Sequence, residues 1–179
     1  SFETETSIER PVISGEGEKK WLEYLQIIDQ GGFPSEEDLN RWKTYGSDLP
    51  DLAPAYIEED YPQLKNRIVY FETSRGCPYL CSFCLSALDK TVRYFDDEIV
   101  YDQVKKLIDA GIQKFKFVDR TFNLKPGRMK ALMEWLSQFE GPEFHFEVVG
   151  DILTPDILNF LETVPPGMFQ FEIGIQTTD

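Results

Sequence analysis

Histidine is nearly missing from this sequence and cysteine is scarce: one His and three Cys in 179 residues. With one imidazole, at position 145, the chain has no second histidine to offer a metal. Basic side chains are also in short supply, 18 Lys and Arg against 32 Asp and Glu, for a net charge of −14. That excess repels phosphate backbones and anionic headgroups, so neither nucleic acid nor a membrane surface is an expected partner. No stretch reaches the roughly eighteen consecutive apolar residues of a spanning helix, and the opening "SFETETSIERP" has neither the basic nor the apolar region of a secretory leader. The expected compartment is therefore the cytoplasm, where thiols stay reduced and an odd number of them cannot all pair within one chain. Three cysteines at short spacing therefore point to ligands or catalysts rather than to a disulfide framework.

What is present is enough apolar material, 41% of residues, for one respectable core. Residues 11–29, "PVISGEGEKKWLEYLQIID", read as a short strand, a turn and a helix with an apolar stripe at Leu22, Leu25 and Ile28. Two glutamates beside its G-x-G argue against a phosphate loop. Ser35 and Asp38 mark the start of a second helix by their capping spacing. Residues 46–66 hold three prolines and no sustained period, the pattern of a linker.

From residue 67 the chain alternates. Strands are expected at "RIVYFETS", "KFKFVD", "FHFEVVGD" and "MFQFEIGIQ". Between them lie helices at "DDEIVYDQVKKLIDAG", "PGRMKALMEWLSQF" and "TPDILNFLETV". The first carries Val100, Val104, Leu107 and Ile108 on one face with Gly111 beyond its end, and Thr154 and Pro155 open the last. Such alternation predicts an α/β fold with a parallel sheet and right-handed crossovers. About four strand-helix units fit between residue 67 and the last residue, whereas a closed barrel needs eight strands and about 250 residues. The reading is a partial (β/α) TIM-like barrel preceded by a short α-rich segment, cut from a longer protein. An open sheet edge invites a partner strand, so dimerisation through it is a further expectation.

The chemistry sits in "SRGCPYLCSFC". Cys77, Cys81 and Cys84 follow the first parallel strand with the spacing C-x3-C-x2-C. Loops at the carboxyl ends of such strands are where α/β enzymes place their sites. Three thiolates can hold three irons of a 4Fe-4S cluster and leave the fourth iron open. Two other readings compete: a zinc site completed by His145, and thiols that bind nothing.

C-x3-C-x2-C with an aromatic, Phe83, before its third cysteine resembles the radical S-adenosylmethionine (SAM) superfamily. "RIVYFETSRGCPYLCSFCLS", "FKFVDRTFN", "FHFEVVGDIL" and "FQFEIGIQTT" are similar to the subgroup that follows a cobalamin-binding domain. On that resemblance residues 1–45 are the end of a Rossmann-like cobalamin domain, 46–66 the linker and 67–179 the first half of a radical SAM barrel. It implies that Cys77, Cys81 and Cys84 bind the cluster and that SAM chelates its open iron. One electron then cleaves SAM to methionine and a 5′-deoxyadenosyl radical. It further implies a one-electron donor such as flavodoxin or ferredoxin, a small-molecule or peptide substrate, and cobalamin in the parent protein only. The alternative is a non-catalytic iron-sulfur or zinc protein.

The same resemblance distributes roles among other residues. Phe83 is expected against the cluster and adenine. Asp119 and Arg120 stand where many relatives have a Gly-Gly-Glu motif that holds the SAM amino group; this sequence lacks those glycines, and Arg120 is the alternative partner of the SAM carboxylate. Glu147 and Asp151 are expected to contact SAM ribose or substrate, sharing a face if the strand runs regularly past Gly150. Glu172 and Gln176 alternate onto one face of the fourth strand with Gly174 between them, which leaves a ligand room to approach.

Overall fold

The computed structural model describes residues 11–43 and 55–175. The chain divides into two compact units, Ser1–Ala53 and Pro54–Asp179.

In the first unit, α1 (Glu18–Asp29) and α2 (Glu36–Trp42) are joined through one carboxylate. Glu23 accepts from Trp42 Nε1 and from Arg41, each at 2.9 Å, and these bonds hold its carboxyl below the usual range. Ser35 caps α2 as its spacing predicts: its hydroxyl accepts from Asp38 N while the Asp38 carboxylate accepts from Ser35 N. Residues 11–14 form no strand, contrary to the sequence reading; Ser14 N donates instead to Trp42 O at 2.9 Å. The stripe of α1 forms as expected, yet Leu22, Leu25 and Ile28 are all exposed.

The second unit begins with a 3-10 turn at Glu58–Asp60 and the short helix α3 (Tyr61–Leu64), where only a linker is legible in the sequence. Asp60 supplies the order by accepting from Ile57 N, and Tyr56, Tyr61 and Leu64 pack against the core. Then follow β1 (Ile68–Phe71), β2 (Ser74–Arg75), β3 (Arg93–Tyr94), α4 (Asp97–Asp109), β4 (Lys114–Phe117), α5 (Pro126–Leu136), β5 (Glu143–Val148), α6 (Pro155–Leu161) and β6 (Phe169–Ile173). Asp96 caps α4 by accepting from Glu98 N at 2.8 Å, and Thr154 caps α6.

Strands β1, β4, β5 and β6 make one sheet in that order, each pair parallel. Each strand of this sheet neighbours the one that follows it among the four, the order of a barrel; a doubly wound sheet would reverse direction. The unit is thus an α/β fold of the partial (β/α) barrel type. Register puts Val69, Phe71, Phe115, Phe117, Phe144, Phe146 and Val148 on the face covered by Val100, Val104 and Leu107 of α4, Met129, Leu132, Met133 and Leu136 of α5 and Ile157 of α6. Each such side chain contributes about 1.5–3 kcal/mol by leaving water. The other face carries Tyr70, Lys116, His145, Glu147, Gln170 and Glu172, and the period-2 alternation makes it polar.

Candidate metal centre

The three cysteines occupy a loop closed at its base by a two-rung hairpin. The first strand does not run through to Ser74 as the sequence indicates. It ends at Phe71, and β2 leaves to pair antiparallel with β3, Ser74 opposite Tyr94 and Arg75 opposite Arg93. Gly76 makes the closure feasible. Its φ is +92°, and a Cβ there would lie 2.2 Å from Thr91 O, so only glycine fits without parting the strands. Cys77 N donates to Asp89 O at 2.9 Å, and Arg93 grips Asp89 through both carboxylate oxygens at 3.1 and 2.7 Å. That pairing holds the Asp89 carboxyl below its ordinary range.

Within the loop, Cys77 is buried, Cys81 half-buried and Cys84 exposed, and none is in a disulfide. A turn bond from Cys84 N to Cys81 O at 3.1 Å brings the last two close in the backbone. Among the described residues no three His, Cys, Asp or Glu side chains are already gathered as a ligand set. Phe83 is 79% exposed, and Tyr79, Leu80 and Leu85 are exposed with it. His145 lies on the sheet in β5, its Nε2 3.5 Å from Glu172, and does not join the cysteines.

Beneath the hairpin runs a buried polar belt. Asp119, 1% exposed, lies two residues past the end of β4 and accepts from Thr73 N at 3.0 Å, Thr73 Oγ1 at 2.7 Å and Ser74 Oγ at 2.6 Å. Both carboxylate oxygens are thereby committed to the residues that lead into the cysteine loop. Burial pushes this carboxyl above its ordinary value, against the three bonds that favour its charge. Arg128 of α5 donates to Thr73 Oγ1 at 2.8 Å and to Asp97 at 2.7 Å, so Thr73 passes a donor chain from α5 to Asp119. Two residues on, the buried Thr121 Oγ1 lies 3.7 Å from Cys77 Sγ. Asn123, fully buried, accepts from Val149 N at 2.9 Å and donates to Val149 O at 2.7 Å. The loops after β1, β4 and β5 are therefore bolted to one another at the carboxyl end of the sheet.

Arg120 is exposed, and among the described residues no ion pair joins it to Asp119. Glu147 and Glu172 are neighbours in register on the polar face, where Lys116 reaches them at 3.7 and 3.2 Å. The bond to Glu172 holds the Lys116 ammonium above its usual range. Asp151 does not share their face: β5 stops at Val148, and Gly150–Ile152 winds into a 3-10 turn that leaves Asp151 exposed. Gln176 lies outside the described residues. Sequence reasoning missed Lys116, although "KFKF" places it two residues from Lys114 on the polar face, level with His145. It also missed Thr73, Ser74, Thr121, Asn123 and Arg128, whose partners lie 26 to 55 residues away.

Chemically, the loop offers three soft sulfur donors on a segment tied at both ends, with one thiol buried beside a hydroxyl. Thiolate sets of this kind suit iron-sulfur clusters and zinc and suit hard cations poorly. The donor set fits a cluster with one iron left open.

Comparison with known proteins points the same way. Residues 71–179 match the Radical SAM superfamily. A 58-residue stretch, 31% of this chain and 8% of the relative, is 38% identical to the cobalamin-dependent radical SAM methyltransferase TokK of Streptomyces tokunonensis. Over 132 residues, 71% of this chain and 29% of the relative, it is 23% identical to the bacteriochlorophyllide d C-12(1)-methyltransferase of Chlorobaculum tepidum. A protein of Methanocaldococcus jannaschii, named provisionally as a methylthiotransferase, is 31% identical over 121 residues, 63% of this chain and 26% of the relative. The chain spans less than a third of the length of each. A match covering more than half of the sequence, with the three cysteines on the loop after its first parallel strand, shows that this chain belongs to the radical SAM superfamily.

Proposed function

We propose that Cys77, Cys81 and Cys84 hold a 4Fe-4S cluster and that the chain is the cluster-bearing part of a cobalamin-dependent methyltransferase. The observation that carries the reading is the three-thiol loop, fixed by Gly76 and the β2–β3 hairpin to the carboxyl end of a barrel-type sheet. When bound, the cluster supplies one electron to SAM, and SAM supplies the radical or the methyl group. The protein's own part is to hold and orient. Asp119 and Asn123 fix the loops around the cysteine segment, and the turn at Cys81–Cys84 brings the backbones of the last two cysteines together. On this reading Phe83, exposed on the loop, covers the cluster and adenine, and the exposed Arg120 meets the SAM carboxylate. Glu147 and Glu172, bridged by Lys116, present a polar patch to ribose or substrate.

Methyl transfer is supported by the names of the Streptomyces and Chlorobaculum relatives, and cobalamin by the first of them. Cobalamin with histidine on its cobalt is not expected in this chain, whose single histidine is on β5. The electron comes from a flavodoxin- or ferredoxin-type donor. Methylthio transfer is the second reading, favoured by the Methanocaldococcus relative.

Anaerobic reconstitution with iron and sulfide tests the cluster assignment. The wild-type chain should take up about four irons and four sulfides, and Cys→Ala at 77, 81 or 84 should each abolish stable uptake. Tight zinc binding without iron uptake would overturn it in favour of a structural metal site.

A further inference from the structure

Cys77 differs from the other two thiols in its surroundings. It is 8% exposed and meets Thr121 Oγ1 at 3.7 Å, and Thr121 is 6% exposed. The Thr121 hydroxyl also donates to Arg120 O at 2.8 Å. In that arrangement the Cys77 thiol is the donor to Thr121, because a hydroxyl has one hydrogen to give. A sulfur that ligates metal carries no proton. The only hydrogen left between the two side chains is then the hydroxyl's, and turning about the Thr121 Cβ–Oγ1 bond directs it to sulfur with no heavy atom displaced.

We infer that Thr121 is a positioning residue for the cluster: its hydroxyl donates to the ligated Cys77 sulfur and raises the cluster's reduction potential. This rests on the cluster assignment made above. A donor to sulfur stabilises the more negatively charged, reduced state, and hydrogen bonds to cluster sulfurs are among the levers that set potential. The placement is firm because Asp119, two residues before Thr121, is bonded to Thr73 and Ser74 just ahead of Cys77. The ends of β4 and β1 therefore fix the hydroxyl and the sulfur relative to each other. Cys81 and Cys84, on the outer part of the loop, are more exposed to solvent than Cys77.

The test uses the reconstituted wild-type chain, Thr121→Val, which keeps the shape and loses the hydroxyl, and Thr121→Ser, which keeps the hydroxyl. Midpoint potentials are read by electron paramagnetic resonance at stepped potentials, and exchangeable-proton coupling to the reduced cluster by the same resonance in H2O and D2O. The Val variant should hold its cluster, shift to more negative potential and lose one exchangeable coupling, while Ser stays near wild type in both. If Val does not fold, Thr121→Ala removes the hydroxyl without filling the site and is read the same way. Equal potentials and couplings in loaded wild type and loaded Val or Ala overturn the inference and leave the cluster assignment standing. A wild-type chain that takes no cluster overturns both.

Discussion

Replacing Asp119 by alanine removes the acceptor for three buried donors at once. Thr73 is fully buried, so its backbone N–H is left with neither protein nor water, a loss of about 1–3 kcal/mol. The Thr73 and Ser74 hydroxyls can turn toward other acceptors, and each should cost about 0.5–1 kcal/mol. Against this, burial disfavours the carboxylate's charge, so deleting it recovers part of the loss. The net expectation is a destabilisation of about 2–3 kcal/mol, a sizeable share of the roughly 5–15 kcal/mol that holds a domain together. In equilibrium urea unfolding, with a slope near 2 kcal/mol per molar, the midpoint should fall by about 1–1.5 M with the slope unchanged. Asp119→Asn should fall between the two: its oxygen can still accept the hydroxyls, but its amide meets Thr73 N–H donor to donor. An alanine variant within about 0.5 kcal/mol of wild type would refute the reasoning, because an orphaned buried N–H cannot cost so little.

The same residue sets a pH dependence. Its folded pKa lies above the ordinary value, so its contribution to stability is complete below the unfolded value, near 4, and is lost as pH rises through the folded value. Wild type should therefore lose stability relative to Asp119→Asn over that rise, as read by urea midpoints at stepped pH; parallel curves would contradict it. Gly76→Ala places a methyl 2.2 Å from Thr91 O at a φ of +92°, and should cost at least about 2 kcal/mol while opening the hairpin. Amide exchange at residues 74–77 and 91–94 should accelerate, and unchanged protection there would count against the close approach. Asn123→Ala cuts both bonds to Val149 and should destabilise by about 1–3 kcal/mol in the urea assay; a change of a few tenths would show that the loops after β4 and β5 do not depend on it.

The strand-helix alternation was legible because two periods write it into the chain. Every second residue of the parallel strands is apolar toward the helices, and α4 repeats its apolar face at helical spacing. Ser35 and Thr154 announced their helices through local bonds that span three residues. The hairpin that frames the cysteines left no such trace: β2 and β3 have two residues each, too short for a period. Their pairing is enforced by Gly76 and by Asp119, whose partners are 45 and 46 residues away. The "PVIS" segment shows the opposite failure, since its apolar residues look like a strand but find no ladder, and the chain there bonds to the end of α2. The 3-10 turn and α3 hid inside a proline-rich stretch because their order comes from Asp60 and from tyrosines packing on a distant core. At the site, cysteine spacing alone located the donors. Lys116, which reaches both Glu147 and Glu172, was missed because an alternating Lys reads as a solvated face until the strand register is known.

The most direct test of the central claim is electron paramagnetic resonance of the anaerobically reconstituted, dithionite-reduced chain with and without SAM. The three-thiol loop predicts a reduced 4Fe-4S signal whose spectrum shifts on adding SAM, because a ligand reaches the iron the protein leaves open. A reduced cluster that ignores SAM, or a chain that takes up no iron, would contradict it.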